Sequence, residues 1–569
     1  MKLDWRTIAR NGFLGGIVAF YLSAIGLAET FSERYLIGTF ISTGQLFVTV
    51  GAILAGILTA RALKDQENDR DSYVSSLLSG AVSSLPLIIL IFLIEVLVIR
   101  QIDQEVVFRW RDMFVNFSPV LVEMLTFGQG LAVGIPLLIF ASIILAGIGA
   151  ALVLLPDRPR VALLNAFIWT LAIGLFSENV TQILDQFGGR VVIRFLFQGK
   201  SLNPLAAILI FAGAFAVAYF RVHKTVQKRW AKMPASQQKR NRTIGIVLGI
   251  ILLLLLPWMT GQFLSQALFM VGLYVMMGLG LNIVVGYAGL LDLGYVAFFA
   301  IGAYVMGLFT STGPLGISDL NFWMTLPIAV LIGLVAGVVL GFPVLRMRGD
   351  YLAIVTLGFG EIIRILATSD WLAPWEGGPQ GILHIPNPSF FGELMEKPQE
   401  MYYLVIAGSL LIAFVTIRLK DSRLGRQWMA MREDEDVAEA MGINLVQTKL
   451  LAFSVGAGFS AMAGAVFAAR LGNIFPHSFN LIVSINALAV IIVGGLGSIP
   501  GVIVGSLILV GMPELLREFT EYRFLMYGIL LIVMMLFKPE GFLPDVAHKR
   551  ELRGDVDEFA EDDLATSEA

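Results

Sequence analysis

An all-α, polytopic transmembrane helical bundle is what this chain encodes, and three observations say so. Apolar runs of about 20 residues recur along the sequence, each long enough to cross a hydrocarbon core of ~30 Å. Of the 569 residues 57% are hydrophobic and only 15% charged, against roughly 25% charged in ordinary globular domains. The runs show little period-2 alternation, which argues against a barrel and for helices that satisfy their own backbones. The 58 glycines fit the same class, because small residues let helices approach closely in lipid. A net charge of −3 gives no sign of nucleic-acid binding. Zero cysteines exclude disulfides, thiolate metal sites and a cysteine nucleophile together.

Lys2, Arg6 and Arg10 precede the first run, residues 13–27. Gly26-Leu27-Ala28 resembles a small-residue cleavage site, so a signal peptide is one reading. A retained first helix fits better, since more runs follow at once, at 36–60, 77–99, 130–155, 161–184 and 204–220. Residues 1–220 therefore read as an N-terminal extra membrane domain of about six helices, one per run. The next stretch, RVHKTVQKRWAKMPASQQKRNR, is the most basic loop, and short basic loops stay in the cytoplasm. Residues 221–243 are taken as a basic cytoplasmic linker. Six crossings from an internal N-terminus return the chain to that side.

The second membrane domain, 244–545, has runs at 244–259, 264–285, 290–309, 322–345, 351–367, 402–417, 450–469, 482–512 and 524–537. Counting from the linker, Arg346 and Arg348 fall inside, the Pro/Gly-rich stretch 371–401 outside, and the charged stretch 422–443 inside, as its arginines require. One crossing by 482–512 would put the basic residues after 547 outside. VGGLGSIPG at 493–501 offers a break, so two shorter passes are expected, giving about 15 spans in all. Residues 546–569 form an acidic, disordered cytoplasmic tail.

GYAGLLDLGYVAFFAIGAY (286–304) has glycines at 286, 289, 294 and 302, too many for a plain lipid-facing helix when each costs up to ~1 kcal/mol of propensity. Asp292 is its unusual member, since a carboxylate at the bilayer centre costs ~2.5–3.5 kcal/mol on insertion scales. Either a helix start lines a pathway there, with Asp292 facing water or a partner group, or Asp292 caps a helix at the membrane edge. In RMRGDYLAIVTLGFGEIIRIL, Asp350 can cap the following helix, and Glu361 and Arg364 lie one turn apart on one face. They line a route or form a structural ion pair near the outer interface. Gly333, Gly337 and Gly341, like Gly501 and Gly505, have the spacing of close helix packing.

SRLGRQWMAMREDEDVAEAMGI (422–443) is a water-facing, helix-forming stretch between apolar runs. Asp434, Glu435, Asp436 and Glu439 are polar, Ala430, Val437, Ala438 and Met441 suggest a less polar side, and Gly442 is a normal helix stop. The stretch is a solvated loop helix or one that docks in a partner's groove. Its placement between spans, flanked by arginines, favours docking. Gly199-Lys200-Ser201 imitates the end of a phosphate-binding loop, but Arg194 stands where its first glycine belongs. The four histidines have no metal-ligand spacing. No catalytic and no metal-binding residue is expected.

GYAGLLDLGYVAFFAIGAY, LGFPVLRMRGDYLAIVTLGFGEIIRIL, WEGGPQGILHIPNP, LGRQWMAMREDEDVAEAMGI, KLLAFSVGAGFSAMAGAVFAAR and FKPEGFLP closely resemble the LivM-type membrane permeases, subunits of ABC importers for branched-chain amino acids. The resemblance covers residues 245–545, with the motifs in family order. It implies that Gly425, Arg432, Glu433, Asp434, Ala438 and Gly442 belong to a coupling helix seated in the ATPase subunit. The stretch 349–351 with 358–364 favours the amino acid branch over the related urea branch. Asp292 and Tyr295 depart from the family, which often has Ser and His there, and the N-terminal domain exceeds its usual length. Asp292, Tyr295, Glu361 and Arg364 are the pathway candidates.

The resemblance further implies partners: two cytoplasmic ABC ATPase subunits that bind ATP and Mg, a second homologous permease, an extracytoplasmic amino-acid-binding protein, and membrane lipid. The chain would hold no cofactor, bind no nucleic acid, and cross the prokaryotic plasma (inner) membrane many times. The alternatives are an ion-coupled secondary transporter, which would want paired intramembrane carboxylates in repeated halves, and, within the family, a urea or short-amide importer permease. A membrane enzyme would need a nucleophile–base or metal cluster, and the sequence offers none.

Overall fold

The computed structural model describes residues 4–38, 41–64, 69–99, 116–220, 235–344, 347, 349–390, 392–515 and 521–544. Most of the basic linker, Arg346 and Arg348, and the acidic tail lie outside the described residues. The chain divides into two compact units, Met1–Gly249 and Ile250–Ala569.

The first unit is built from α1 (Trp5–Ala24), α2 (Thr43–Leu63), α3 (Asp69–Ser83), α4 (Leu85–Ile99), α5 (Pro119–Leu125), α6 (Gly130–Leu154), α7 (Asp157–Leu175), α8 (Ser177–Gln186), α9 (Arg190–Leu196) and α10 (Pro204–Phe220). Small residues set its packing. Ser72, Ser75, Ser76, Ser79 and Ser83 give α3 a buried serine face, which packs against α1, α2 and α6. Several of these hydroxyls are satisfied by their own helix: Ser76 donates to the Ser72 carbonyl at 2.8 Å and Ser79 to that of Ser76 at 2.7 Å. Such back-bonding lets a polar face sit in an apolar bundle.

Two expected helices differ. The run at 36–60 is not helical from its start: β1 (Tyr35–Ile37) and β2 (Ile41–Ser42) pair antiparallel, and β1 also pairs in parallel with β4 (Ser201–Leu202), itself antiparallel to β3 (Phe197–Gln198). Ser42 then starts α2 through a capping box with Gln45. The run at 161–184 bends by 73° between α7 and α8, beside the strands, where Arg34 donates to the Leu175 carbonyl at 2.8 Å and Lys200 pairs with Glu178 at 2.7 Å.

The second unit contains the part of α11 (Ala235–Leu281) from Ile250 onward, a π-helical turn (Asn282–Tyr287), α12 (Val296–Thr310), α13 (Phe322–Val344), α14 (Asp350–Thr368), α15 (Pro398–Lys420), α16 (Arg423–Glu433), α17 (Glu435–Ala440), α18 (Leu445–Leu471), α19 (Leu481–Gly494), α20 (Ile499–Ser506) and α21 (Arg523–Phe537). A hairpin of β5 (Ser389–Phe390) and β6 (Glu393–Leu394) lies before α15. Helix α11 breaks at Gly261, whose φ is 75°. Pro257 withholds the N–H that the Leu253 carbonyl would accept, and the Tyr402 hydroxyl donates to that carbonyl at 2.9 Å instead.

The core is organised around α18, whose glycines, alanines and serines are buried on nearly every side. Gly333 and Gly337 of α13 face Ala457, Ala461 and Phe453 of α18, so close that a side chain would collide. The expected break at 493–501 is present. Helix α20 turns back along α19, with Gly505 against the Val490 carbonyl and Gly501 against that of Gly494. The falling number on one helix against the rising number on the other is the signature of an antiparallel hairpin.

Against about 15 expected crossings of ~20 residues, nine helices among the described residues are long and apolar enough to cross a membrane, or ten if the bent pair counts as one. Pro204–Phe220, Val296–Thr310 and Ile499–Leu515 are shorter apolar helices.

Candidate functional site

The charged stretch folds as two short helices meeting at an extended residue. Ser422 caps α16, accepting from the Gly425 N–H at 3.3 Å. Gly425 lies against the Leu419 and Lys420 carbonyls, where a Cβ would not fit. Asp434, at φ −157°, ends α16 and begins α17, its Oδ1 accepting from the Asp436 and Val437 N–H groups at 2.9 Å each. Gly442 closes the stretch at φ +88°, a conformation costly for residues with a Cβ.

One side of this unit is anchored to the bundle. Trp428 is fully buried and its indole N–H donates to the Thr448 carbonyl at 2.9 Å. Met431 and Ala438 are buried beside it. Lys449, 3% exposed, pairs with Glu435 at 2.8 Å. The Arg432 guanidinium reaches beyond its own segment and donates from Nη1 to the Gly286 carbonyl at 2.8 Å, with its stem against Gly289. Gly286 is the penultimate residue of the π-helical turn. Asn282 on that turn accepts from the Gly497 N–H at 2.8 Å, which ties in the α19–α20 turn. The Lys420 ammonium lies 5.5 Å from the Tyr287 ring centre, within cation–π reach.

The other side is open. Glu433, Asp436 and Glu439 are exposed, and so are Val437 and Met441, at 58% and 80%. The less polar side expected from Ala430, Val437, Ala438 and Met441 is thus split: Ala438 points into the bundle and Val437 and Met441 away from it. Adjacent positions on a helix project about 100° apart, so these residues cannot share one narrow face.

Between Tyr287 and Val296 the chain is not helical, and it sits inside the bundle. The run at 290–309 therefore becomes a helix only at Val296. Three helices supply its missing hydrogen bonds: Thr356 of α14 accepts from the Leu293 N–H at 3.1 Å, Ser484 of α19 from that of Val296 at 2.8 Å, and Ser460 of α18 donates to the Tyr295 carbonyl at 3.3 Å. Asp292 is fully buried and accepts from the Gly294 N–H at 2.9 Å through Oδ1, while Oδ2 has no partner. Tyr295 is equally buried and donates to the Gly456 carbonyl at 2.8 Å. Both residues are buried at the break and help to hold it together.

Glu361 and Arg364 do meet. The guanidinium Nε lies 3.0 Å from each carboxylate oxygen, and Nη2 also donates to Oε1. Their side chains are 43% and 33% exposed. Sequence reasoning missed Trp428, Lys449 and Asn282. The signals are an indole in a charged stretch, a lysine at the head of the apolar run 450–469 and an asparagine within the run 264–285. No group of three metal-binding side chains occurs among the described residues.

A helical bundle with many apolar, partly broken helices and a charged two-helix segment tied to one break has the make-up of a polytopic membrane protein, and its similarity to known permeases makes its class a membrane transport permease. Residues 263–537 match the family described as branched-chain amino acid transport system / permease component. The chain is 38% identical over 421 residues to the high-affinity branched-chain amino acid transport system permease protein LivM of Escherichia coli (strain K12), a match covering 68% of this chain and 95% of that protein. It is 42% identical over 311 residues to the LivM of Salmonella typhimurium, covering 51% and 72%. The LivH permease of Salmonella typhimurium is 26% identical over 288 residues, covering 48% and 91%. No solved structure matches. The chain belongs to the branched-chain amino acid transport permeases of the LivM type.

Proposed function

We propose that this chain is one permease subunit of an ATP-driven importer for branched-chain amino acids in a prokaryotic inner membrane. A homologous permease would complete the pathway, two ABC ATPases would bind ATP and Mg on the cytoplasmic side, and an extracytoplasmic binding protein would deliver the substrate. The segment 422–443 is then the coupling element, with Gly425, Arg432, Glu433, Asp434, Ala438 and Gly442 giving it shape and contacts.

The observation that carries this reading is the two-sidedness of that segment. Its inner side is locked to the bundle by Trp428, Lys449 and Arg432, while its outer side presents carboxylates around Val437 and Met441. A push on the outer side would reach the π-helical turn through Arg432 and, through Asn282, the α19–α20 turn. ATP binding shifts access only if the closed ATPases favour one orientation over the other, since equal binding shifts nothing.

The test is reconstitution with the ATPases, the partner permease and the binding protein. Leucine uptake should require ATP and every companion. Concentration of leucine by the purified chain alone in ATP-free vesicles would replace this reading with ion-coupled transport.

A further inference from the structure

We propose that Glu361 and Arg364 form a subsite for the ammonium and carboxylate groups of a zwitterionic α-amino acid, on a face of α14 that lines a watered pathway. The inference rests on the importer reading and adds to it the place where the substrate's head group is held.

Helix α14 is long and apolar enough to cross a membrane, yet it packs along one face only. Leu352, Ala353, Thr356 and Gly360 are buried, while Tyr351, Ile354, Ile362 and Ile365 are 72%, 65%, 55% and 53% exposed. The ion pair borders this open face. Glu361 lies roughly 16 Å from the Asp350 end of the helix and 10 Å from the Thr368 end, at ~1.5 Å per residue. Those distances put it within the hydrocarbon thickness whichever way the helix points. Half-exposed charges at that depth are not tolerated against lipid tails; they face protein or water.

Snorkelling does not account for the pair. Arg364 is one turn from the nearer helix end, and an arginine escaping hydrocarbon extends that way. Its guanidinium instead turns back toward the middle of the helix and meets Glu361 through Nε and Nη2. That leaves Nη1 free to donate to an incoming carboxylate, the ligand that a guanidinium fork fits best. Each Glu361 oxygen keeps lone-pair capacity for an ammonium. Pair and zwitterion are each neutral overall, so binding brings no net charge into the membrane. Ile362 and Ile365 supply apolar surface for the side chain. Gly358, one turn earlier, leaves open space where a Cβ would be.

The chain has no cysteine, so Gly358→Cys gives this subunit a single probe, read by labelling of its own band from the reconstituted complex. A charged, membrane-impermeant thiosulfonate should label it, and leucine delivered by the binding protein should slow labelling. Reaction only with a lipid-soluble maleimide would place the face against lipid and overturn the proposal. Glu361→Gln and Arg364→Gln should each lower leucine uptake per ATP hydrolysed at least tenfold while ATP hydrolysis continues. The exchange Glu361→Arg with Arg364→Glu should not restore uptake, because the substrate's two ends would be reversed. Rescue by the exchange would make the pair structural. If the unaltered complex imports leucine and the single variants match it, the subsite fails and the importer stands. If the unaltered complex needs no ATP, the importer reading fails first.

Discussion

Arg432 and Gly286 are 146 residues apart in sequence and joined by one hydrogen bond, Arg432 Nη1 to the Gly286 carbonyl at 2.8 Å. The π-helical turn that contains Gly286 ends at Tyr287 and leads directly into the non-helical stretch 288–295. That stretch borrows hydrogen bonds from three other helices, so it cannot shift alone. The contact therefore connects a water-facing segment to the least regular piece of backbone in the bundle core.

Arg432→Ala should break this connection while leaving α16 and α17 folded. Hydrogen bonds from charged donors contribute about 1.5–3 kcal/mol, so a modest fall in the detergent melting temperature is expected. The larger effect should be functional: ATP hydrolysis by the assembled complex persists and leucine uptake drops. Equal losses of both activities would mean that Arg432 only stabilises the fold.

The pair Lys449–Glu435 predicts an asymmetry. Lys449 is 3% exposed and Glu435 21%, so the two partners differ in what they do when abandoned. Glu435→Ala strands a buried ammonium and should cost about 3 kcal/mol, the low end for breaking a buried pair. Lys449→Met leaves a carboxylate that can turn toward water and should cost less. The double variant should recover most of the loss of Glu435→Ala. Melting curves of the three variants decide it, and equal losses for the two single changes would refute the asymmetry.

Glu376 ends a short helix, Ala373–Glu376, outside the spanning helices, and burial raises its carboxyl above the usual glutamate value. The folded form therefore holds its proton more tightly than the unfolded chain. Its ionisation costs nothing below the unfolded value and costs progressively more as pH rises through the folded one. Glu376→Gln should raise the melting temperature at pH 7.5 and leave it unchanged near pH 3.5. A lower melting temperature at pH 7.5 would mean that the ionised carboxylate is favourably held.

Several features were readable before any coordinates. The apolar runs located most helices, the Gly333–Gly341 spacing marked a packing face, and VGGLGSIPG marked a turn. The failures share one cause. Apolarity reports that a segment is buried, not that it is helical, so residues 36–37, 41–42 and 290–295 read as helix although they are strand and irregular chain. What overrides the pattern is local: the Ser42 cap, and hydrogen bonds from Thr356, Ser460 and Ser484, which come from sequence positions no short window connects. The split of Val437 from Ala438 was likewise hidden until Asp434 fixed where α17 begins.

Glu433, Val437 and Met441 stand on the side of the charged segment that the bundle leaves open, and this separates binding from folding. Met441→Glu alters a side chain that is 80% exposed, so its stability should change by no more than about 0.5 kcal/mol, as for ordinary surface positions, while Glu433→Arg reverses an exposed charge. Association with the ATPase is another matter. Apolar side chains at the centre of an interface carry a disproportionate share of its energy, and reversing the charge at its rim opposes the partner's complementary surface. Copurification of the ATPase should therefore fall at least tenfold for either variant, with the melting temperature of Met441→Glu and the membrane insertion of both unchanged. A variant that binds the ATPase normally would show that the partner grips some other surface, and coupling would have to be sought there.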